Sequence, residues 1–374
     1  MQQYRVEFFE SFISDTTSTR KLKYVFHDFI NDLPIDDDYI AIQTTTIEIK
    51  PTDKVKNGHF IRILRDNDDY FFGYVVDAEP GTYTTKISFK PFLAVFDTDI
   101  LFNVLCQYRS AENPGITLEE TLQGYIDAYF ASNSDYRQCY PMTITIPAAG
   151  SRTVMWNMGI TSDEEGSSYA VVGLYQTLIV RAMKEYGVAI EVTPNFSTGV
   201  IALSIGKVSG TFHIDAGLDN VTVKTFKVND RPNGINKLIV HNSLTYTNPI
   251  IFYVHPDRSW DTTNTDRITP VVYGIRTVTP DGTYEDPDDD FMYAALATAY
   301  DELSGLEFDN LIELECAPND RLISPTTIKN GQKVTIHYKG EAYTSILTGK
   351  SVSFEVITLM FGSERITYTK KTSK

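Results

Sequence analysis

Apolar and polar positions alternate with a period of two through most of the first hundred residues, the signature of strands with one buried face. The stretch HFIRILRDNDDYFFGYVVDAEP (59–80) holds two such runs around Asp66-Asn67-Asp68-Asp69, whose composition predicts a turn. YTTKISFKPFLAVFDTD (83–99) continues the pattern, with Ile87, Phe89 and Phe92 expected on one face. Thr44 to Ile49 alternates as well, so the opening block predicts a small antiparallel barrel.

The period then changes. In GITLEETLQGYIDAYFASNSD (115–135), Thr117 and Glu120 form a capping box. Behind it Leu118, Leu122, Tyr125, Ile126 and Tyr129 make a helical apolar stripe. A second helix is predicted from about Ser168 to Tyr186, with Val171, Leu174, Tyr175, Leu178, Ala182 and Met183 inward and Gly187 as its stop. YPMTITIPAAG (140–150) between them reads as a short strand, which makes this block α+β.

Strands return in GVAIEVTPNFSTGVIALSIG (187–206), a hairpin turning at Asn195 to Gly199. They continue through residues 220–243, where Pro232-Asn233-Gly234 supplies a turn. From about Leu244 to Glu307 the rhythm breaks. This part holds the turn-rich HPDRSWDTTNTDRITP (255–270), a Pro280-Asp281-Gly282 turn, and a helix from Asp290 to Leu303 ended by Gly305. Strands resume at NLIELEC (310–316) and persist to the end, where Tyr338 to Tyr368 reads as strand, turn, strand, strand. The pattern suggests a barrel interrupted by an insertion, with the two barrel-like blocks as candidate duplicates. There is no repeat of fixed short period.

Composition narrows the function classes. A chain of 374 residues, 42% hydrophobic and 22% charged, predicts a globular protein of several domains. The start, Met1 to Glu7, lacks the basic-then-apolar layout of a signal peptide, so synthesis in the cytoplasm is expected. A net charge of −16 opposes binding to phosphate backbones, though it suits a wall along which DNA must not adhere. The three cysteines, Cys106, Cys139 and Cys316, are too few and scattered for a disulfide framework or a zinc site and read as free thiols. Tyrosine (23) and phenylalanine (21) are abundant enough to serve both core and protein interfaces.

Candidate chemistry is thin. None of His27, His59, His213, His241, His255 and His337 stands in a zinc-binding spacing. His213 and Asp215 share one side of a predicted strand, but no serine or cysteine occupies a nucleophile elbow. In STGVIALSIGKVSG (197–210) six residues separate Gly199 from Gly206, and Val208 follows Lys207, so it is no phosphate loop. Two acidic runs, Asp36-Asp37-Asp38 and Asp286-Pro287-Asp288-Asp289-Asp290, lack EF-hand spacing. Asp289 or Asp290 has a simpler task capping the helix after it. Calcium stays open as a ligand, because hard oxygen donors could converge across loops or subunits. No residue is singled out as catalytic, cofactor-binding or metal-ligating.

The closing segment, YKGEAYTSILTGKSVSFEVITLMFGSERITYTK (338–370), resembles the C-terminal strands of baseplate hub, or tail-associated, proteins of long-tailed siphophages. The matching features are Tyr343, Ser345, Ile346, Leu347, Thr348 and Gly349, then Phe361-Gly362, then Arg365 to Lys370. RPNGINKLIVHN (231–242) is similar to the family's N-K-L-x-V strand, and YDELSGLEFDNLIELEC (300–316) to its helix-to-strand return. The acidic, Tyr- and Thr-rich texture is close to hubs of lactococcal siphophages.

The resemblance implies a mainly β fold with α+β insertions, related to the hub of contractile-tailed phages. Two antiparallel β-barrel tube-type domains, residues 1–98 and residues 206–242 with 308–374, would be joined by an α+β domain at 99–205 and an insertion domain at 243–307. It implies a homotrimer whose six barrels dock on the distal tail protein ring, with receptor-binding proteins, tail tube and tape-measure protein as further contacts. DNA would pass through without specific binding. Many relatives carry a wall-cutting or fibre extension, and this chain is expected to stop at the hub and to be no enzyme. The residues alone also admit a cell-wall polysaccharide or peptidoglycan hydrolase, or a carbohydrate- or receptor-binding module.

Overall fold

The computed structural model describes residues 4–13, 20–31, 35–65, 67–107, 116–131, 140–154, 156, 158, 160, 168–208, 210–217, 221–228, 235–245, 248–255, 260–265, 267, 271–280, 287–303, 310–317, 328–353 and 356–362. The fold is mainly β with α+β insertions. The opening block contains β1 (Tyr4–Ile13), β2 (Arg20–Ile30), β3 (Ile35–Asp38), β4 (Thr45–Ile49), β5 (Phe60–Arg65), β6 (Asp68–Pro80) and β7 (Thr85–Pro91). The middle holds β8 (Asp99–Asn103), α1 (Leu118–Ile126), β9 (Met142–Thr145), β10 (Tyr169–Gly173), α2 (Val180–Tyr186), β11 (Val188–Asn195) and β12 (Val200–Lys207). Then follow β13 (Thr211–Asp215), β14 (Thr222–Val228), β15 (Lys237–Asn242), β16 (Ile250–Val254), β17 (Trp260–Asp261), β18 (Tyr273–Val278) and α3 (Pro287–Leu303). The chain closes with β19 (Asn310–Cys316), β20 (Lys333–Tyr338), β21 (Glu341–Val352) and β22 (Ile357–Phe361). No helix among the described residues is long and apolar enough to cross a membrane.

The first block forms one antiparallel sheet in the order β2-β1-β5-β6-β7-β4. Its alternating residues Val6, Phe8, Ile61, Ile63, Ile87 and Phe89 are buried on one face, as the period of two requires. The end strands β2 and β4 meet through one carboxylate. Buried Asp28, 3% exposed, accepts from Lys50 N–H at 2.7 Å and from Phe29 N–H at 2.8 Å, and the Lys50 ammonium lies 3.2 Å away. Burial works against ionising Asp28, but these donors and the ammonium outweigh it, and its pKa falls below the ordinary carboxylate value.

A carboxyl depressed in the fold stabilises above its unfolded pKa of roughly 4, and that contribution is lost as pH falls through the folded value. Asp28→Asn should therefore cost about 2 kcal/mol at neutral pH, from charge-assisted bonds lost at a buried site. The difference from the unsubstituted chain should shrink as pH falls through the depressed folded value, where Asp28 takes up its proton and both side chains are uncharged. Urea midpoints measured across pH check both parts.

The strands β19–β22 with β13 and β14 build the second sheet, β13-β20-β21-β22-β19-β14, to which β3 adds against β21. Followed around as a ring, the two sheets have one strand order. β1-β5-β6-β7-β4-β2 corresponds to β13-β20-β21-β22-β19-β14. They open at different seams: β2 is hydrogen-bonded to β1, whereas its counterpart β14 is hydrogen-bonded to β19. The first strand also runs oppositely, since β1 is antiparallel to β5 and β13 parallel to β20.

The correspondence reaches individual hydrogen bonds. Val55-Lys56-Asn57-Gly58-His59 precedes β5, and Ile328-Lys329-Asn330-Gly331-Gln332 precedes β20. Both glycines hold a positive φ, 84° and 86°. His59 N–H donates to Lys56 O and Gln332 N–H to Lys329 O, each at 3.1 Å. Lys56 N–H donates to His59 Nδ1 at 3.3 Å, and Lys329 N–H to Gln332 Oε1 at 3.4 Å. Gly58 N–H reaches Val75 O at 2.8 Å, and Gly331 N–H reaches Leu347 O at 2.7 Å. Just beyond, each long strand is bulged, between Val75 and Asp77 and between Leu347 and Gly349. The chain carries two versions of one β unit.

The middle block packs on the opposite face of the first sheet. Phe9, Phe60 and Phe92 form a continuous core with Phe102, Leu122, Leu174, Met183 and Leu203. α1 has the expected capping box at Thr117 and Glu120. Leu118, Leu122 and Ile126 are buried, and the hydroxyls of Tyr125 and Tyr129 accept from Asn103 N–H and Leu101 N–H at 2.7 and 3.2 Å.

Several expectations need correction. Residues 169–173 are not helix but β10, paired with β8, and Val171 is 63% exposed. The apolar run Tyr169–Val172 fits either period, and its β-branched valines settle on a strand. The helical part begins with a π-turn at Leu174–Ile179, after which α2 ends at Gly187 with φ 66°. Phe92 lies in a short 3-10 turn and packs away from Ile87 and Phe89, in the other core. Residues 237–242 do not join the second barrel sheet. β15 pairs with β16 and β18, in the order β17-β16-β15-β18, and α3 covers this sheet with a separate core of Leu238, Val240, Phe252, Val254, Phe291 and Ala295. α3 starts at Pro287 and not at Asp290, so Asp289 and Asp290 stand in its first turn, proline being favoured at the first helical position. The Pro232–Gly234 and Asp281-Gly282 turn residues, Gly305, Cys139 and the strand expected at Arg365–Lys370 lie outside the described residues.

Candidate functional site

The two β units meet where β3 leaves the first and pairs with β21 of the second, Ile35 opposite Val352 through Asp38 opposite Gly349. Tyr39 N–H extends this ladder to Thr348 O at 2.9 Å. Gly349 permits the approach, because a Cβ there would stand 2.7 Å from Met360 Cε and 3.2 Å from Asp38 Cα. The residues that carried the sequence resemblance form the frame of this joint. Ser345 Oγ donates to Asn310 Oδ1 at 2.6 Å, and Thr348 Oγ1 donates to Gly362 O at 2.8 Å.

The acidic run Asp36–Asp38 is thus a strand and not a loop of ligands. Asp38 is buried, and its Oδ1 accepts from Ile40 N–H at 2.9 Å and Ala41 N–H at 3.2 Å. Asp37 faces Lys350 at 3.8 Å, and the Lys350 ammonium donates to Ile328 O at 3.1 Å. Burial pushes the Asp37 carboxyl up and the Lys350 ammonium down, each only partly opposed by the other's charge. Asn330 Nδ2 donates to Asp37 O at 3.3 Å, so the second repeat turn grips the visiting strand.

The middle block locks the same joint. Ile190 N–H donates to Tyr39 Oη at 3.0 Å, the Tyr175 hydroxyl donates to Tyr39 O, and Glu191 pairs with Lys329. Burial raises the pKa of both tyrosines, so they stay neutral hydroxyls. A cavity of about 250 Å³ remains, where Tyr70 and Phe72 of the first unit face Ile328, Asn330 and Lys350 of the second. Burial pushes the Tyr70 hydroxyl up to about 12. The arrangement joins three parts of the chain with paired charges and satisfied donors.

The remaining candidates lie apart from this joint. His213 and Asp215 do share one face of β13, where Asp215 Oδ1 accepts from Gly217 N–H at 3.0 Å. His255 Nε2 lies 3.1 Å from Asp261 Oδ1 at the surface. Residues 197–207 close the β11–β12 hairpin. Cys316 is buried and Cys106 half-buried, both as free thiols. Among the described residues no group of three or more His, Cys, Asp or Glu side chains could hold a metal ion. Asp36–Asp38, in the sequence an acidic run without EF-hand spacing, gives no local sign of the strand it forms at this joint. The repeated Lys-Asn-Gly triplet at 56–58 and 329–331 was the available signal.

No protein-family model matches the sequence, and no curated protein matches it significantly. Solved structures are similar. The 43 kDa tail protein of prophage MuSo2 from Shewanella oneidensis is 14% identical with a TM-score of 0.50, the match covering 96% of this chain and 98% of that one. A tail protein from Neisseria meningitidis MC58 is 12% identical over 96% of each chain, with a TM-score of 0.45. A chain of the phage P2 baseplate in its activated conformation with Ca is 13% identical over 98% of this chain and all of that one, with a TM-score of 0.39. At such identities the likeness is one of fold: this chain has the fold of a phage tail protein.

Proposed function

We propose that the chain is a structural component of a phage tail tip: the baseplate hub of a long-tailed siphophage, assembled as a homotrimer and not acting as an enzyme. The observation that carries the reading is the duplicated β unit, down to the paired Lys-Asn-Gly turns. Three chains would offer six like units, enough to meet a sixfold tail end such as the distal tail protein ring while keeping threefold symmetry below it. The receptor-binding proteins, tail tube and tape-measure protein are candidate neighbours.

The work done is opening, with no bond chemistry. Contacts between subunits shift from a closed to an open state, and the acidic chain gives DNA nothing to adhere to as it leaves. The lobes outside the ring units close the exit. The lobe of β15–β18 and α3 has its own core and touches the middle block through Tyr300, which stacks on Tyr186, so its swing would break that contact. The middle block shares its core with the first unit and would move only with it. Solution mass by sedimentation with negative-stain images tests the assembly. Three chains with a sixfold-looking rim are expected, and a single-chain mass with cleavage of host cell walls would replace the reading with a hydrolase.

A further inference from the structure

The lobe of β15–β18 and α3 reaches the middle block with one ring. Its helix lays Phe291, Ala295, Ala299 and Leu303, spaced four apart, against the lobe's own sheet, and all four are buried. Tyr300 follows Ala299 by one position, which sets it about 100° round the helix from that stripe, on a flank. There its ring stacks on Tyr186, with centroids 6.1 Å apart and planes 26° apart. Tyr186 is the last residue of α2 and 7% exposed, and Gly187, at φ 66°, turns the chain from it into β11. Tyr300 also meets Trp260 of β17 edge-on at 4.9 Å, and Trp260 meets Phe252 of the lobe's core edge-on at 5.6 Å. Four rings thus run from one core into the other. Among the described residues Tyr300 is the only lobe side chain packed against the middle block's core, and the two cores are otherwise separate.

We propose that the Tyr186–Tyr300 stack is a latch: it is made while the lobe lies against the middle block and parts when the lobe swings out. The inference rests on the opening role proposed above and names the contact that holds the closed state. A latch must be weak enough to break and specific enough to re-form. An aromatic pair fits, since beyond the area it covers it favours the docked state by only about two- to tenfold. Phe252, Trp260 and α3 stay together whether the lobe is docked or not, so the break falls between Tyr300 and Tyr186 and not inside either core. The contrast is with the joint between the first sheet and the middle block, where Phe9, Phe60 and Phe92 all enter the shared core. Parting that joint would open a core. Parting the latch uncovers two rings.

The test uses the two tyrosines themselves. Photo-oxidation with a ruthenium complex and persulfate couples neighbouring phenols: each ring gives up a hydrogen, persulfate takes the two electrons, and a carbon–carbon bond joins the rings. In the purified full chain, peptide mass spectrometry should find Tyr186 joined to Tyr300, and a chain without that link overturns the latch. Virions oxidised in the same way should release DNA to host cells at least about tenfold less, because the lobe is locked. Tyr300→Phe keeps a stacking ring but has no phenol to couple. Oxidised Tyr300→Phe virions should therefore release DNA as untreated ones do, which sets aside damage at other tyrosines. Tyr300→Ala removes the latch, and those virions should lose DNA up to about tenfold faster on warming without host. Linked virions that still release DNA overturn the latch and leave the hub reading standing. A chain that antibody labelling does not find at the tail tip overturns the reading and the latch with it.

Discussion

Gly362→Ala should destabilise the chain by about 4 kcal/mol or more, through two effects at one position. Gly362 has φ +85°, where an alanine costs about 1–2 kcal/mol in strain. Its Cβ would also fall 1.9 Å from Asn310 O and 2.3 Å from Asn310 Oδ1, and backbone cannot yield as a flexible side chain can. Relief requires the end of β22 to move away from β19, breaking the Gly362 N–H bond to Ile346 O at 2.9 Å and the Thr348 hydroxyl bond to Gly362 O. Those bonds sit beside the ladder that β3 joins, so the joint between the units should loosen with them. Gly340→Ala is the control: φ is +87°, nothing lies within 4 Å of the added methyl, and about 1 kcal/mol should be lost. Urea unfolding of the two variants side by side checks the difference, and equal losses would mean the crowding at Asn310 is not felt.

The second large effect separates the twin turns. Gly58→Ala and Gly331→Ala impose the same strain, because both positions hold the same positive φ and the same hydrogen bonds. At Gly58 the new methyl meets open space. At Gly331 it would stand 2.5 Å from Ala189 Cβ and 3.0 Å from Val208 Cγ2, so β11 must shift. Gly58→Ala should cost about 1 kcal/mol and Gly331→Ala about 3 kcal/mol, the excess being overpacking against the middle block. Hydrogen exchange should locate that excess in the amides of β11 and β12, and faster exchange spread evenly over both units would contradict it.

Local features were legible in the sequence. The Thr117–Glu120 box, the Asn195–Gly199 turn and the Gly187 stop each depend on contacts within a few residues, and each is where the pattern put it. What failed depended on distant partners. Tyr169–Val172 became strand because β8 lay beside it, and Phe92 turned from its neighbours because a second core waited on that side. Asp36–Asp38 read as an acidic run without EF-hand spacing, since nothing nearby in sequence reveals Lys350 or the edge of β21. The repeat was legible only in part. The Lys-Asn-Gly triplet is short, and the positions after it alternate without matching residue for residue. What is preserved is a set of backbone hydrogen bonds, which sequence letters do not spell.

β3 also sets a timetable. It leaves the ribosome roughly three hundred residues before the strand it pairs with. During synthesis the first half can therefore fold only with a polar ribbon left over, and its aspartates keep that ribbon in water until β21 arrives. A nascent chain cut short anywhere before β21 would carry an unclaimed strand, and the cell's proteases could tell the unfinished molecule from the finished one by that end alone.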